Sequence, residues 1–168
     1  MRFPAALDRL FDMDALHIRE YAEQDIPALL ALYASAGLNR SAADSFTSEE
    51  AKAHLALFRQ YPNYRLFVAS SEVKEELVGS YALLIMDNLA KRGLRSAIVE
   101  DVCVAPGAQG KGIGRALMQH AMDEAKNAGC YKLTLSSNLR RTEAHAFYDA
   151  VGFERHGYSF QVAIRAEE

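Results

Sequence analysis

The stretch Val102-Cys103-Val104-Ala105-Pro106-Gly107-Ala108-Gln109-Gly110-Lys111-Gly112-Ile113-Gly114-Arg115-Ala116-Leu117 decides the fold. It reads as the end of a strand, a tight turn at Pro106 and Gly107, and a glycine-spaced entry into a helix. Residues 96–104 are rich in β-branched side chains, as a strand requires. After the turn the period changes: Ile113, Ala116, Leu117, His120, Ala121 and Ala125 recur every three or four residues, while Arg115, Asp123, Lys126 and Asn127 take the other faces. An amphipathic helix from 112 to about 128, stopped by Gly129, is predicted. The first turn of a helix leaves amide hydrogens unpaired and carries a partial positive charge, so a phosphate completes those bonds. Glycines at 110, 112 and 114 let the anion approach closely.

On the N-terminal side, 64–70 and 77–86 read as strands joined by a charged turn at 71–76, with Gly79 inside the second. A polar, positively charged loop at 87–95 then leads into the strand 96–104. Earlier still, 16–21 reads as a short strand, and Asp25-Ile26-Pro27 opens a helix to about 35. Thr47 and Glu50 have capping-box spacing ahead of Ala51, His54, Leu55 and Phe58, which predicts a helix ending before Pro62. On the C-terminal side, 131–136 alternates as a strand, 142–150 reads as a helix stopped near Gly152, and 159–164 as a last strand.

These elements predict an α/β (α+β) fold without repeats, with 16–168 as one domain, which suits a chain of 168 residues. Residues 1–15 are an extension in which Leu7, Leu10 and Phe11 have helical spacing. It is expected to pack either on the domain or on a second copy of the chain in a homodimer. Asp8, Arg9, Asp12 and Asp14 interrupt any apolar run that a secretory signal or a spanning helix would need, so no membrane role is expected.

The formal net charge is -3 and the cations are dispersed, so no nucleic-acid partner is expected. The two cysteines, Cys103 and Cys130, match neither a zinc pattern nor a disulfide framework, which suggests a reducing, cytoplasmic setting. Cys103 is read as core, because nothing in the sequence places a histidine beside it to activate the thiol. Glu143 and His145 lack the spacing of a zinc helix, and no metal is predicted.

Two better-known phosphate loops fit poorly. A Walker loop needs Ser or Thr after its lysine, where Gly112 stands; a dinucleotide fingerprint needs a third glycine where Arg115 or Leu117 stands. The segment 102–117 instead resembles the acetyl-CoA site of the GNAT superfamily of N-acetyltransferases, whose signature is Gln or Arg, two residues, Gly, any residue, then Gly or Ala. The later run Ala144-His145-Ala146-Phe147-Tyr148 to Val151-Gly152-Phe153 also looks like that family's following helix. The resemblance implies a central mixed, mostly antiparallel sheet flanked by helices, and acetyl-CoA as cosubstrate. Its pantetheine arm would lie along Val102, Cys103 and Val104 like an added strand, and its pyrophosphate on Gln109, Gly110, Lys111, Gly112, Ile113, Gly114 and Arg115.

An amine acceptor arrives mostly as an ammonium of pKa roughly 10, and only the neutral form attacks a thioester. Glu100 and Asp101 sit in the strand that leads to the loop, where alternation sends them to opposite faces unless a bulge intervenes. The resemblance favours Glu100 as general base, with Asp101 as the runner-up. The competing reading is that a strand carboxylate simply pairs with a cation such as Arg95. Tyr148 matches the tyrosine that, in this family, protonates the departing thiolate, a task suited to a phenol of pKa roughly 10. The competing reading is a half-buried aromatic that wets its hydroxyl.

The match departs from the family at 136–141, where Arg141 stands in place of an asparagine and Asn138 lies earlier. Asn138 is carried as a cofactor ligand on a shifted loop. The stretch 135–148 also looks like the branch that contains aminoalkylphosphonate acetyltransferases, in which Arg140 or Arg141 would grip an anionic substrate group or would simply be solvated. The expected reaction is acetyl transfer to a primary amine of a small molecule within a ternary complex. A protein lysine or amino terminus as acceptor, and a non-catalytic acetyl-CoA sensor, are the alternatives.

Overall fold

A computed structural model describes residues 16–39, 41, 45–71, 76–162 and 164. The N-terminal extension 1–15 and most of the 71–76 turn lie outside the described residues. The chain divides into two units, Met1–Thr134 and Leu135–Glu168.

In the first unit the expected meander forms a five-stranded sheet in the order β1-β2-β3-β4-β5. The strands are β1 (Leu16–Glu20), β2 (Tyr64–Ser71), β3 (Glu76–Met86), β4 (Arg95–Val104) and β5 (Cys130–Thr134). Neighbours from β1 to β4 run antiparallel and β5 joins β4 in parallel, so the sheet is mixed and mostly antiparallel, as expected. The crossover from β4 to β5 is α3 (Ile113–Asn127), the helix that a parallel connection requires.

α1 (Ile26–Ser35) begins where Asp25 organises the chain. The Asp25 carboxylate accepts the Ala22 amide at 2.7 Å and both arms of the Arg19 guanidinium at 2.6 and 2.8 Å. The Arg19 fork holds this carboxyl below the usual range against the opposing effect of burial. α2 (Ser48–Phe58) opens with the expected capping box: the Glu50 amide donates to Thr47 Oγ1 at 3.3 Å, and the Thr47 amide donates to the Glu50 carboxylate at 2.8 Å.

α1 packs on β3 and on α2. Leu29 and Leu32 of α1 join Leu66, Val68, Ala82 and Cys103 of the sheet in one buried cluster. Strand alternation sends Gly79, Tyr81 and Leu83 to the opposite face, where α3 docks. The helix comes so near that a Cβ on Gly79 would meet Leu117 Cδ1 at 2.9 Å and the Cys103 carbonyl oxygen at 3.0 Å. Only a residue without a side chain fits there. Ile113, Leu117, Met118 and Ala121 are buried on this side, each large one worth about 1.5–3 kcal/mol against exposure. Further along, Arg65 of β2 pairs with Glu124 of α3 and lies 4.6 Å above the Phe67 ring.

The second unit contains α4 (Thr142–Ala150), matching the expected helix. The last strand expected at 159–164 is not seen among the described residues: 158–162 carry no regular structure, and Tyr158, Phe160, Val162 and Ile164 are exposed. Alternation marks a segment able to pair, but a strand exists only where a neighbour supplies its ladder bonds. No helix among the described residues is long and apolar enough to cross a membrane.

Candidate active site

β4 carries one residue too many for its partner. Ala82 pairs with Glu100 and Ser80 with Cys103, so Tyr81 alone faces both Asp101 and Val102. This is a β-bulge, and Asp101 takes a left-handed φ of 51° to make it. Aspartate tolerates that region better than most residues, at a cost of order 1 kcal/mol. The bulge undoes the alternation expected for Glu100 and Asp101. Glu100, paired with Ala82, faces the α1 side, and Asp101 joins Ala82 in the wall of a cavity on that same side.

That cavity holds about 250 Å³. Leu29 and Tyr33 of α1, Leu55 and Phe58 of α2, and Leu66 and Ala82 of the sheet line it, with Asp101 as the carboxylate in its described wall. Asp101 keeps much of its surface exposed, and partial desolvation of its carboxyl raises it above its ordinary range. Glu100 is raised as well, by burial and then by the neighbouring Asp101 charge. Arg95, the cation that could have neutralised them, instead donates to Asp87 at 2.7 Å. Tyr33 is raised well above the ordinary phenol range, chiefly by burial.

Past the bulge, Cys103 is buried with its Sγ 3.5 Å from Ser80 Oγ, and burial pushes the thiol pKa up, as expected of a core residue rather than a nucleophile. β5 pairs with β4 only from Arg95 to Ile98. Among the described residues, the edge of β4 that carries Val102 and Val104 therefore has no strand on that side.

A short 3-10 turn, Pro106–Ala108, then leads to Gln109, whose side chain donates to the Val104 carbonyl at 3.3 Å. Gly110 and Gly112 take left-handed φ values of 74° and 84°, which only glycine adopts without strain. Gly112 caps α3, so helix geometry leaves the Ile113 and Gly114 amides without intrahelical acceptors at the positive end of the dipole. Lys111 Nζ donates to the Gly107 carbonyl at 2.9 Å, bracing the loop, and Arg115 follows in the first turn of the helix. The loop has the geometry of an anion cradle.

In the second unit, Tyr148 lies on α4 with its ring 5.2 Å from Phe147 and 5.8 Å from Phe153, and it is half-buried. Asn138 has a local duty: its Oδ1 accepts the Arg140 amide and its carbonyl the Arg141 amide, both at 2.9 Å, closing the turn before α4. His145 Nε2 lies 3.0 Å from the same carbonyl. Ser137 Oγ is buried without a hydrogen-bond partner among the described residues. Nothing in the sequence marked Ser137 or Tyr33, whereas His54 and Phe58, four residues apart on one helix face, were legible as a pair.

Comparison with known proteins agrees with the fold. The model of the Acetyltransferase (GNAT) family matches residues 35–153. Glucosamine 6-phosphate N-acetyltransferase of Trypanosoma brucei brucei is 34% identical over 80 residues, 48% of this chain and 52% of that protein. Aminoalkylphosphonate N-acetyltransferase of Salmonella typhimurium is 31% identical over 102 residues, 61% of this chain and 63% of that protein. The chain thus spans only about half to under two thirds of these curated relatives. A solved Trypanosoma brucei acetyltransferase superposes with a TM-score of 0.76 at 25% identity, covering 89% of this chain and 99% of the other. With the family match running through bulge, loop and α4, the chain belongs to the GNAT acetyltransferase family.

Proposed function

We propose that the protein is an N-acetyltransferase that moves the acetyl group of acetyl-CoA onto a primary amine of a small molecule by direct attack in a ternary complex. The observation that carries this reading is the pairing of an anion cradle with a carboxylate-bearing cavity on one strand: β4 holds Asp101 in the cavity wall and ends in the loop of Gly110 and Gly112. The family match crosses the division between the two units, which supports their acting as one acetyltransferase domain.

Acetyl-CoA, when bound, supplies the acetyl group as a thioester. The amides of 110–114 are suited to its pyrophosphate, and the uncovered edge at Val102 and Val104 to its pantetheine. Because Asn138 commits its amide oxygen to the turn, any bond it gives the pantetheine comes from its amide nitrogen.

Asp101 draws the ammonium into the cavity, and Glu100 beside it takes the proton that must leave before nitrogen can attack. Their raised pKa values make both better bases than ordinary carboxylates. The nitrogen forms its bond to the carbonyl carbon as the carbon–sulfur bond breaks, the Tyr148 hydroxyl gives its proton to the thiolate, and the second proton that the nitrogen sheds in becoming an amide restores the phenol. Orientation supplies most of the acceleration. A cavity of about 250 Å³ lined mostly by apolar side chains matches the body of a small acceptor.

The test is thiol release from acetyl-CoA with a panel of amines. Glu100→Gln is expected to lower kcat, and Asp101→Asn to raise KM more than it lowers kcat. An unchanged amine rate in Glu100→Gln rejects the base assignment, and coenzyme binding without turnover of any amine or peptide favours a sensor.

A further inference from the structure

The described lining of the cavity contains one carboxylate and no lysine or arginine. Its two helices contribute chiefly aliphatic and aromatic side chains, and α2 presents a run of rings. Phe46 lies 5.0 Å from His54, His54 5.9 Å from Phe58, and Phe58 stacks on Tyr64 at 4.6 Å. Phe46 and His54 are exposed, Phe58 is half-buried, and Asp101 sits in the same wall system as Ala82. From solvent inward the row thus passes from exposed rings to a half-buried one.

A site that recognises a phosphate or phosphonate presents guanidinium, ammonium or convergent amides, because desolvating a dianion without them is prohibitive. A cavity whose described lining is apolar with one carboxylate has the opposite preference: it takes a cationic amine whose remaining body is uncharged. The aromatic faces reinforce it, since they attract an ammonium and bury a ring. An apolar cavity of roughly 150 Å³ accommodates benzene. The 250 Å³ here suits one ring with a short aminoalkyl chain.

We propose that the acceptor is a primary amine on an uncharged aromatic body, of the arylalkylamine type, and not an amine bearing phosphate or phosphonate. This rests on the acetyl-transfer reading above. It separates this chain from what the names of its relatives say of their substrates.

The experiment compares kcat/KM for 2-phenylethylamine and tyramine with glucosamine 6-phosphate and 2-aminoethylphosphonate. In parallel, calorimetry measures 2-phenylethylamine binding to coenzyme A-saturated protein. The arylalkylamines are expected to exceed both phosphorus-bearing amines at least tenfold. Phe58→Leu, which keeps apolar volume but removes the ring, should raise the KM for 2-phenylethylamine severalfold and lower kcat less. A preference for either phosphorus-bearing amine overturns the proposal while leaving acetyl transfer standing. Absence of turnover with every amine removes the acetyl-transfer reading, and the calorimetric result then decides the ligand class alone: saturable binding of 2-phenylethylamine supports it and no binding overturns it.

Discussion

Replacing Gly79 by alanine tests how α3, and with it the anion cradle, is held on the sheet. The added methyl would sit 2.9 Å from Leu117 Cδ1, 3.0 Å from the Cys103 carbonyl oxygen and 3.4 Å from Ile113 Cγ2. Carbon atoms in contact prefer about 3.5–4.0 Å, so relief needs shifts of roughly half an ångström or more. Leu117 can turn away only within a packed interface where it is fully buried, and the Cys103 oxygen belongs to the backbone of β4. Overpacking of this kind costs about 1–3 kcal/mol. In a domain of this size that lowers Tm by about 2–4 °C per kcal/mol. Ile113 opens α3, so the same displacement moves the helix start that is proposed to hold the pyrophosphate. Coenzyme A affinity should fall about tenfold, the equivalent of about 1.4 kcal/mol. Urea unfolding and calorimetric titration read the two effects. Gly157→Ala, where an added methyl meets nothing within 4 Å, is the control and should stay within about 0.5 kcal/mol of the parent. If Gly79→Ala unfolds at the parental urea concentration and binds coenzyme A equally well, the coupling of β3 packing to the cradle is wrong.

Asp101→Asn should stabilise the protein at neutral pH while impairing turnover. The raised folded-state pKa makes the parent lose stability as pH climbs from about 4, the ordinary carboxylate value, through the raised value, so the variant's advantage appears across that window and vanishes below it. Asp25→Ala should cost about 2 kcal/mol at pH 7, because it strands the Arg19 fork and the Ala22 amide. Here the folded-state pKa is lowered, so the difference from the parent should close as pH falls below about 4, as urea unfolding between pH 3 and 7 would reveal. Tyr148→Phe should slow acetyl transfer without abolishing it, since a thiolate leaves fairly well unaided; a rate equal to the parent's would remove Tyr148 from the proton path.

Much of this was legible because each element carries its own local signal. The 3.6-residue period from Ile113 to Ala125, the capping box at Thr47 and Glu50, and the glycines before α3 appear where the pattern put them. What escaped depends on partners distant in sequence. Alternation told of two faces for Glu100 and Asp101, but whether a bulge intervenes is set by the register against Ser80 and Ala82, some twenty residues away. The segment 159–164 alternates as a strand should, yet its described residues carry no strand, because pairing is a property of two segments. The cavity was invisible for the same reason: Tyr33, Phe58 and Asp101 meet only once α1 and α2 fold over the sheet.

The most direct measurement is an isothermal titration of the folded protein with coenzyme A and with 3'-dephospho-coenzyme A, repeated with Gly112→Val. The parent should bind both at one site per chain, because the grip falls on the pyrophosphate, and the variant, forced from a left-handed φ of 84°, should bind neither measurably. Parental affinity in Gly112→Val, or no binding by the intact parent, would contradict the anion cradle on which the enzymatic reading stands.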